Sequence, residues 1–168
     1  MKTGMHRFHF KIILDKHKTT GEPLDKKVFL VQTDTTVGFL SQNHNALALL
    51  KERLVEKPFV TVTATFKSLK SLCRVPNQHK NLVRRTKKST FVYSNDRAIR
   101  VVKDEKHAEF VKPFSWMYST SANAKGVSYN KEFAFSKSDI IVEDNEGIFE
   151  GESSSIYRLY RKKLQRLR

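Results

Sequence analysis

A single cysteine, Cys73, stands in the 168 residues of this chain. No disulfide can form within it, so stability has to come from packing, and a lone thiol fits a reducing cytoplasm. Glycine (6) and proline (4) are also scarce, and no low-complexity tract occurs. That excludes a chain made mainly of linker or disordered segment. No apolar run reaches the roughly 20 residues of a membrane-spanning helix. Met1 to Phe10 interleaves Lys2, His6, Arg7 and His9 with apolar side chains, so it lacks the apolar centre of a secretory leader. A soluble cytoplasmic protein without a membrane partner is expected.

Familiar chemical motifs are missing too. The chain has no G-x-x-x-x-G-K-[ST] loop, no G-x-G-x-x-G turn and no Cys/His array with zinc spacing. The histidines at 6, 9, 17, 44, 79 and 107 fall in no ligand pattern, and surface or tail placement is expected for each. No nucleophile-plus-base pair is visible, so no residue is assigned as catalytic and none as a metal ligand. A reaction here would rest on positioning and charge neutralisation, without a covalent intermediate.

Acidic residues are outnumbered, 17 against 32 Lys and Arg, leaving a net charge of +15. The excess is uneven. Residues 70–112 hold 12 basic and 4 acidic side chains, and Tyr157 to Arg168 holds 6 basic and no acidic ones. Such a field recruits polyanions (RNA, DNA or nucleotides) through phosphate contacts that need no base reading. A merely solvated basic face is the other reading.

At this length the chain is about one domain, able to bury roughly two thirds of its unfolded surface. Val28 to Val31 reads as a buried strand, followed by the polar turn Thr33-Asp34-Thr35-Thr36 and a second apolar run ending at Phe39-Leu40. Asn45 can cap a helix carrying Leu47, Leu50 and Leu54, which ends near Val55 or Glu56 ahead of Pro58. Phe59 to Phe66 alternates apolar residues with Thr and predicts a strand. Lys67 to Cys73 and Gln78 to Arg85 read as short helices. Thr90 to Tyr93 and Ala98 to Val102 form a hairpin about Ser94-Asn95-Asp96-Arg97. A short helix over Glu105 to Val111 is stopped by Pro113. Met117 to Ser119, Asp139 to Val142 and Ser155 to Tyr160 are further strands, with a helix or irregular loop before Asp139. Helices and strands in alternation, without repeat or linker, predict one α/β domain over residues 1–168.

Three polar clusters lie where such a sheet would hold a ligand. Thr33-Asp34-Thr35 follows a strand, as a binding loop or as a simple Asx or Ser/Thr turn. Lys51 and Arg53, with Lys57, sit at the end of the Leu-rich helix, where a cation is favoured by the dipole in any case. Those two point about 200° apart on a regular helix, so they converge only where it ends or unwinds. Ser119-Thr120-Ser121-Ala122-Asn123, before Gly126, either ends a strand in a turn or holds a ligand. Together they form a phosphate-handling set: a guanidinium and two ammonium groups for charge, and hydroxyl and amide groups for oxygens or a ribose.

In order and spacing these residues resemble the YrdC-like proteins, which include the threonylcarbamoyl-AMP synthases and a related domain of carbamoyl transferases; this chain reads as a short, divergent member. The resemblance runs from about Val28 to the C-terminus and leaves residues 1–27 poorly matched. There, Phe8 to Ile13 reads as an extra strand or a tail. It rests on Thr33-Asp34-Thr35…Gly38, Lys51-x-Arg53…Lys57-Pro58, Ser119 to Asn123 with Gly126, Gly151-Glu152-Ser153-Ser154-Ser155-Ile156, and a closing strand over Lys163 to Arg168. It implies a twisted open mixed α/β sheet with flanking helices and a basic concave face. The implied reaction condenses L-threonine, bicarbonate and ATP, with Mg2+ travelling on the ATP, to threonylcarbamoyl-adenylate and pyrophosphate. That product serves formation of N6-threonylcarbamoyladenosine in tRNA.

The resemblance assigns Lys51, Arg53, Ser121 and Asn123 to the phosphates and ribose of a nucleotide. Lys57, Thr90 and Arg168 (or Arg166) join them on the nucleotide side, and Thr35 and Ser154 face threonine. The departures are local. Gln32 replaces a proline and Val37 a tyrosine, and Thr86-Lys87-Lys88 replaces a P-G-P turn. A histidine expected near Val62 is absent, with Thr61 or Thr63 as the nearest substitutes. The phosphate set is kept while the amino-acid side is altered. A second expectation follows from charge and from Lys87 and Lys88: a YrdC-like protein that binds double-stranded RNA or tRNA, with weak or no synthase activity.

Overall fold

The computed structural model describes residues 10–15 and 21–168. Phe8 and His9 of the expected N-terminal strand, and His6 and His17, lie outside the described residues. The strands are β1 (Lys11–Asp15), β2 (Phe29–Gln32), β3 (Val37–Ser41), β4 (Val60–Thr63), β5 (Ser89–Val92), β6 (Ala98–Val101), β7 (Trp116–Ser121), β8 (Ile140–Glu143), β9 (Ser155–Leu159) and β10 (Leu164–Arg166). The helices are α1 (His44–Leu50), α2 (Phe66–Leu72), α3 (Lys80–Arg85), α4 (Glu105–Val111) and α5 (Lys131–Lys137).

All ten strands join one mixed sheet in the order β1-β8-β2-β3-β7-β4-β6-β5-β9-β10. Pairing is antiparallel except at β8–β2, β4–β6 and β5–β9. The mixed α/β sheet expected from the alternation of elements is therefore present.

Period-two alternation divides the side chains between two faces. In β2, Leu30 joins Phe39, Ile141 and, from α1, Leu47 and Ala48, while Phe29 and Val31 join Leu40, Met117 and Val111 of α4 on the other side. Further along, Phe91, Ile99, Val101 and Leu159 pack beneath Leu69 of α2 and Val83 of α3. The face that carries Leu40 turns small and polar at the sheet's centre, where Gly38 pairs with Ser121 and Leu40 with Ser119. Among the described residues, none that borders that stretch comes from a helix. A concavity is left there.

Several boundaries differ from the sequence reading. Asn43, not Asn45, caps α1, its Oδ1 accepting from Ala46 N at 3.1 Å. α1 ends at Leu50, well before Val55. The C-terminal turn explains this: Glu52 takes φ +48, Glu52 N donates to Leu49 O and Arg53 N to Ala48 O. That is the paired-bond pattern of a Schellman stop. β4 is shorter than Phe59 to Phe66 because Thr65 caps α2 through its hydroxyl, which accepts from Ser68 N at 3.0 Å. His79 and His107, expected at the surface, are buried. His79 Nε2 meets Tyr160 O at 2.9 Å and His107 Nδ1 meets Asp34 Oδ1 at 3.2 Å.

Candidate active site

The concavity is a cavity of about 210 Å3. Three segments and two strands bring its polar groups together: Thr33 to Thr36 after β2, Arg53 after α1, Ser119 to Ser121 of β7, Arg100 of β6, and Ser153, Ser154 and Arg168 from the C-terminal hairpin region. Among the described residues no Asp or Glu lines it. Three guanidinium groups, Arg53, Arg100 and Arg168, border a single hollow, which suits a multiply charged anion.

Arg53 owes its position to the Schellman turn, which reverses the chain so that it no longer projects away from Lys51. Its guanidinium lies 4.4 Å from the centre of the Phe59 ring, and Nη2 donates to Pro58 O at 3.2 Å. Its Nε is buried without a hydrogen-bond partner. Stacking and one backbone bond hold the fork while leaving donors for a ligand. Burial lowers its pKa from the ordinary guanidinium value, yet a guanidinium stays charged at neutral pH.

Lys51 has a different part. Its Nζ donates to Ser121 O and Asn123 Oδ1, both at 3.1 Å, and also to Asn123 O. Ser121 Oγ donates to Asn123 Oδ1 at 2.5 Å, and Asn123 Nδ2 to Val127 O at 2.6 Å. Lys51, Ser121 and Asn123 are thus brought together as a staple between the end of α1 and the turn after β7, with Lys51 and Asn123 outside the cavity lining. Burial, and then the Arg53 charge, pull the Lys51 ammonium below its usual range. Lys57 is exposed and lies outside the cavity lining.

On the far wall, Thr90 is fully buried and its hydroxyl meets Ser154 Oγ at 3.0 Å. Arg168 clamps the same segment, donating from Nε and Nη2 to Ser154 O at 3.1 and 2.9 Å. Arg166 instead donates to Arg168 O and lies outside the cavity lining. Gly151 makes this approach possible. A Cβ there would stand 2.0 Å from Thr35 O, and its N–H donates to Thr36 Oγ1 at 3.1 Å.

The sequence reading missed Arg100 and the group behind it. Arg100 Nη1 donates to Thr35 Oγ1 at 3.1 Å and lies 3.4 Å from Asp34 Oδ1, both ion-pair partners being 5% exposed. His107 Nδ1 reaches the same carboxylate oxygen. Burial pushes the Asp34 carboxyl up, but the His107 hydrogen bond and the Arg100 charge outweigh it and hold it below the usual carboxylate range. Burial pulls His107 down, against the pull of Asp34. The pair is therefore a carboxylate and a neutral imidazole, whose Nδ1 also lies 3.2 Å from the Asp34 backbone N–H while Nε2 is buried without a partner. A signal did exist: Arg100 interrupts the apolar run Ile99-Arg100-Val101-Val102, and a charge there must be paired. Val62, where a histidine was expected, is the Cα partner of Arg100. A cation from the neighbouring strand stands beside the missing imidazole's place.

No family model matches the chain, and no curated protein matches it. Solved structures do match. The crystal structure of P. abyssi Sua5 complexed with L-threonine superposes with a TM-score of 0.70 at 18% identity, over 91% of this chain and 53% of that one. Full-length HypF in the phosphate- and nucleotide-bound form gives 0.70 at 11% identity, over 95% of this chain and 25% of that one. The solution structure of MTH1692 from Methanobacterium thermoautotrophicum gives 0.63 at 18% identity, covering 90% and 84%. The chain thus spans about half the length of the Sua5 structure and a quarter of HypF, while sharing their YrdC-like fold.

Proposed function

We propose that this protein is a threonylcarbamoyl-AMP synthase-like enzyme, acting on L-threonine, bicarbonate and ATP in the service of tRNA modification. The observation that carries this reading is the cavity with three arginines, hydroxyl groups from Thr35, Ser121 and Ser154, and no lining carboxylate. A triphosphate needs the first, and the zwitterion of an amino acid needs a cation beside neutral oxygens. The neighbours with the same fold include one protein solved with L-threonine and one with nucleotide and phosphate.

In this reading the threonine nitrogen bonds to the bicarbonate carbon and water leaves. A carbamate oxygen then bonds to the α-phosphorus of ATP, and pyrophosphate departs. Arg53 faces the phosphates, with Lys51, Ser121 and Asn123 shaping the loop beneath them. Arg168 and Thr90 hold Ser154 against the substrate. Arg100, fixed by Asp34, presents its charge and Thr35 to the amino acid. Mg2+ enters on the ATP, since no carboxylate lines the cavity to hold it otherwise. Catalysis comes from placing two anions and an amine together and offsetting their repulsion.

A second reading, an RNA-binding protein with weak or no synthase activity, is favoured by one observation. Lys51 is engaged by backbone oxygens and Lys57 is turned out, so the cationic set is only partly free for phosphate. One assay separates the two: purified protein with ATP, Mg2+, L-threonine and labelled bicarbonate. Threonine-dependent label in the adenylate, with pyrophosphate, is the expected outcome. ATP bound without turnover supports the second reading, and neither binding nor turnover removes the nucleotide from the cavity.

A further inference from the structure

The opposite face of the sheet is covered in two pieces. α1 and α5 pack over β2, β3 and β8, and α2 and α3 over β5, β6 and β9. Between them, β7 and β4 border a groove of about 460 Å3. Its walls are aromatic: His44 meets Phe59 at 5.0 Å and Tyr118 at 5.2 Å, and Trp116 meets Tyr118 at 5.1 Å, all edge to face. Asn95 and Arg97 of the β5–β6 turn, and Glu56, add polar groups.

On the other side of that turn lies a second cavity, of about 750 Å3, bordered by Arg74, Arg158 and Arg161 and by Tyr160, which is 44% exposed. Asp96 lines both cavities and is held by Arg158 at 2.8 Å. Tyr93 also lines the arginine cavity, and its buried hydroxyl makes no hydrogen bond. The two cavities therefore meet at Asp96, with rings on one side of the turn and guanidinium groups on the other.

We propose that this face binds a single-stranded segment of nucleic acid, its bases stacked in the aromatic groove and its phosphates met by Arg74, Arg158 and Arg161. Aromatic walls alone would accept many apolar groups, and arginines alone many anions. Rings and arginines on either side of Asp96 suit a polynucleotide strand, where sequence-tolerant stacking and phosphate contacts add. A duplex keeps its bases paired and cannot bring them to the groove. The net charge of +15 favours the encounter. The proposal does not rest on the reading of the central cavity, with which the aromatic groove shares Pro58 and Phe59 and the arginine cavity shares nothing.

Trp116 is the chain's single tryptophan, so its emission reports directly on the groove. The test titrates the full chain with a single-stranded oligoribonucleotide of about a dozen nucleotides. Expected are quenching of Trp116, an affinity that falls linearly on a log–log salt plot, and at least a tenfold loss in the Arg74→Ala/Arg161→Ala double variant. Both arginines are exposed, so that variant should fold, and circular dichroism checks it. Arg168→Ala, which alters the central cavity alone, should leave the quenching curve unchanged. Absent quenching, or an unchanged curve in the double variant, overturns the proposal. So does loss in Arg168→Ala, which would move the strand to the other face. Equal quenching of Trp116 by a duplex overturns it as well, since paired bases cannot enter the groove.

Discussion

Arg100 shows how much depends on one side chain. It is 4% exposed, in the middle of a strand whose neighbours are apolar, and it is tolerated because Asp34 stands 3.4 Å away. Removing one member of a buried pair leaves the other charged and unpaired, at a cost of about 3–5 kcal/mol, whereas removing both is far less harmful. Arg100→Met should therefore lower the urea-unfolding free energy by about that amount. Arg100→Met with Asp34→Asn should recover a large part of it, and no recovery would mean that the two charges are not coupled. Arg53 is the contrasting case, because its fork is stacked on Phe59 and does not anchor the core. Arg53→Ala should leave stability little changed and weaken ATP binding by about 1.5–3 kcal/mol, the range for a charged hydrogen bond. Titration calorimetry reads this directly, and wild-type affinity in the variant would remove Arg53 from the nucleotide site.

At the scale of elements, the turn after α1 decides whether the cationic set exists. Glu52 sits at φ +48, a conformation that suits glycine and costs other residues about 1 kcal/mol. Glu52→Gly should hold or slightly raise the thermal midpoint with ATP affinity intact. Glu52→Pro fixes φ near −65° and removes the N–H that now donates to Leu49 O. It should uncouple Lys51 from Arg53 and abolish ATP binding in a protein that still folds; retained binding would mean the turn is not what gathers them. Gly151→Ala tests the other wall, since its Cβ would collide with Thr35 O. A raised KM for threonine together with a lower melting temperature is expected.

These elements also show what was legible in the sequence. The strands with continuous apolar runs, such as β2 and β8, and the β5–β6 hairpin were readable because burial and turn chemistry are local properties. The stop of α1 was not, because a Schellman turn built on Glu carries no glycine to announce it. Nor was the end of β4, where Thr65 fits a strand as well as a helix cap. Among the residues lining the cavity, Arg53 and Ser121 were legible as polar residues beside element ends, and Ser154 only through the resemblance. Arg100 and His107 were not singled out, because their partner Asp34 is more than 60 residues away and only the fold joins them.

On the scale of the whole molecule, two sources of acid sensitivity can be separated. The net charge of +15 grows as histidines and carboxylates bind protons, and self-repulsion then weakens the compact state; salt screens this part. His107 supplies the other part. It is buried and neutral, joining α4 to the loop after β2, and its burial holds it below the ordinary imidazole range. The unfolded chain titrates near pH 6.5. Between that pH and the lower folded value, the unfolded state binds the extra proton, so stability declines as pH falls, by up to about 1.4 kcal/mol per pH unit. Asp34 acts in the same direction at lower pH, because a carboxyl held below its usual range loses its contribution as it protonates. Urea unfolding from pH 8 to pH 5, at low and at high salt, separates the parts. The salt-sensitive share should persist in His107→Gln, and the salt-insensitive slope below pH 6.5 should vanish in it. An identical slope in both proteins would assign the acid sensitivity to overall charge, leaving the Asp34–His107 pair to hold Arg100 in place without sensing pH.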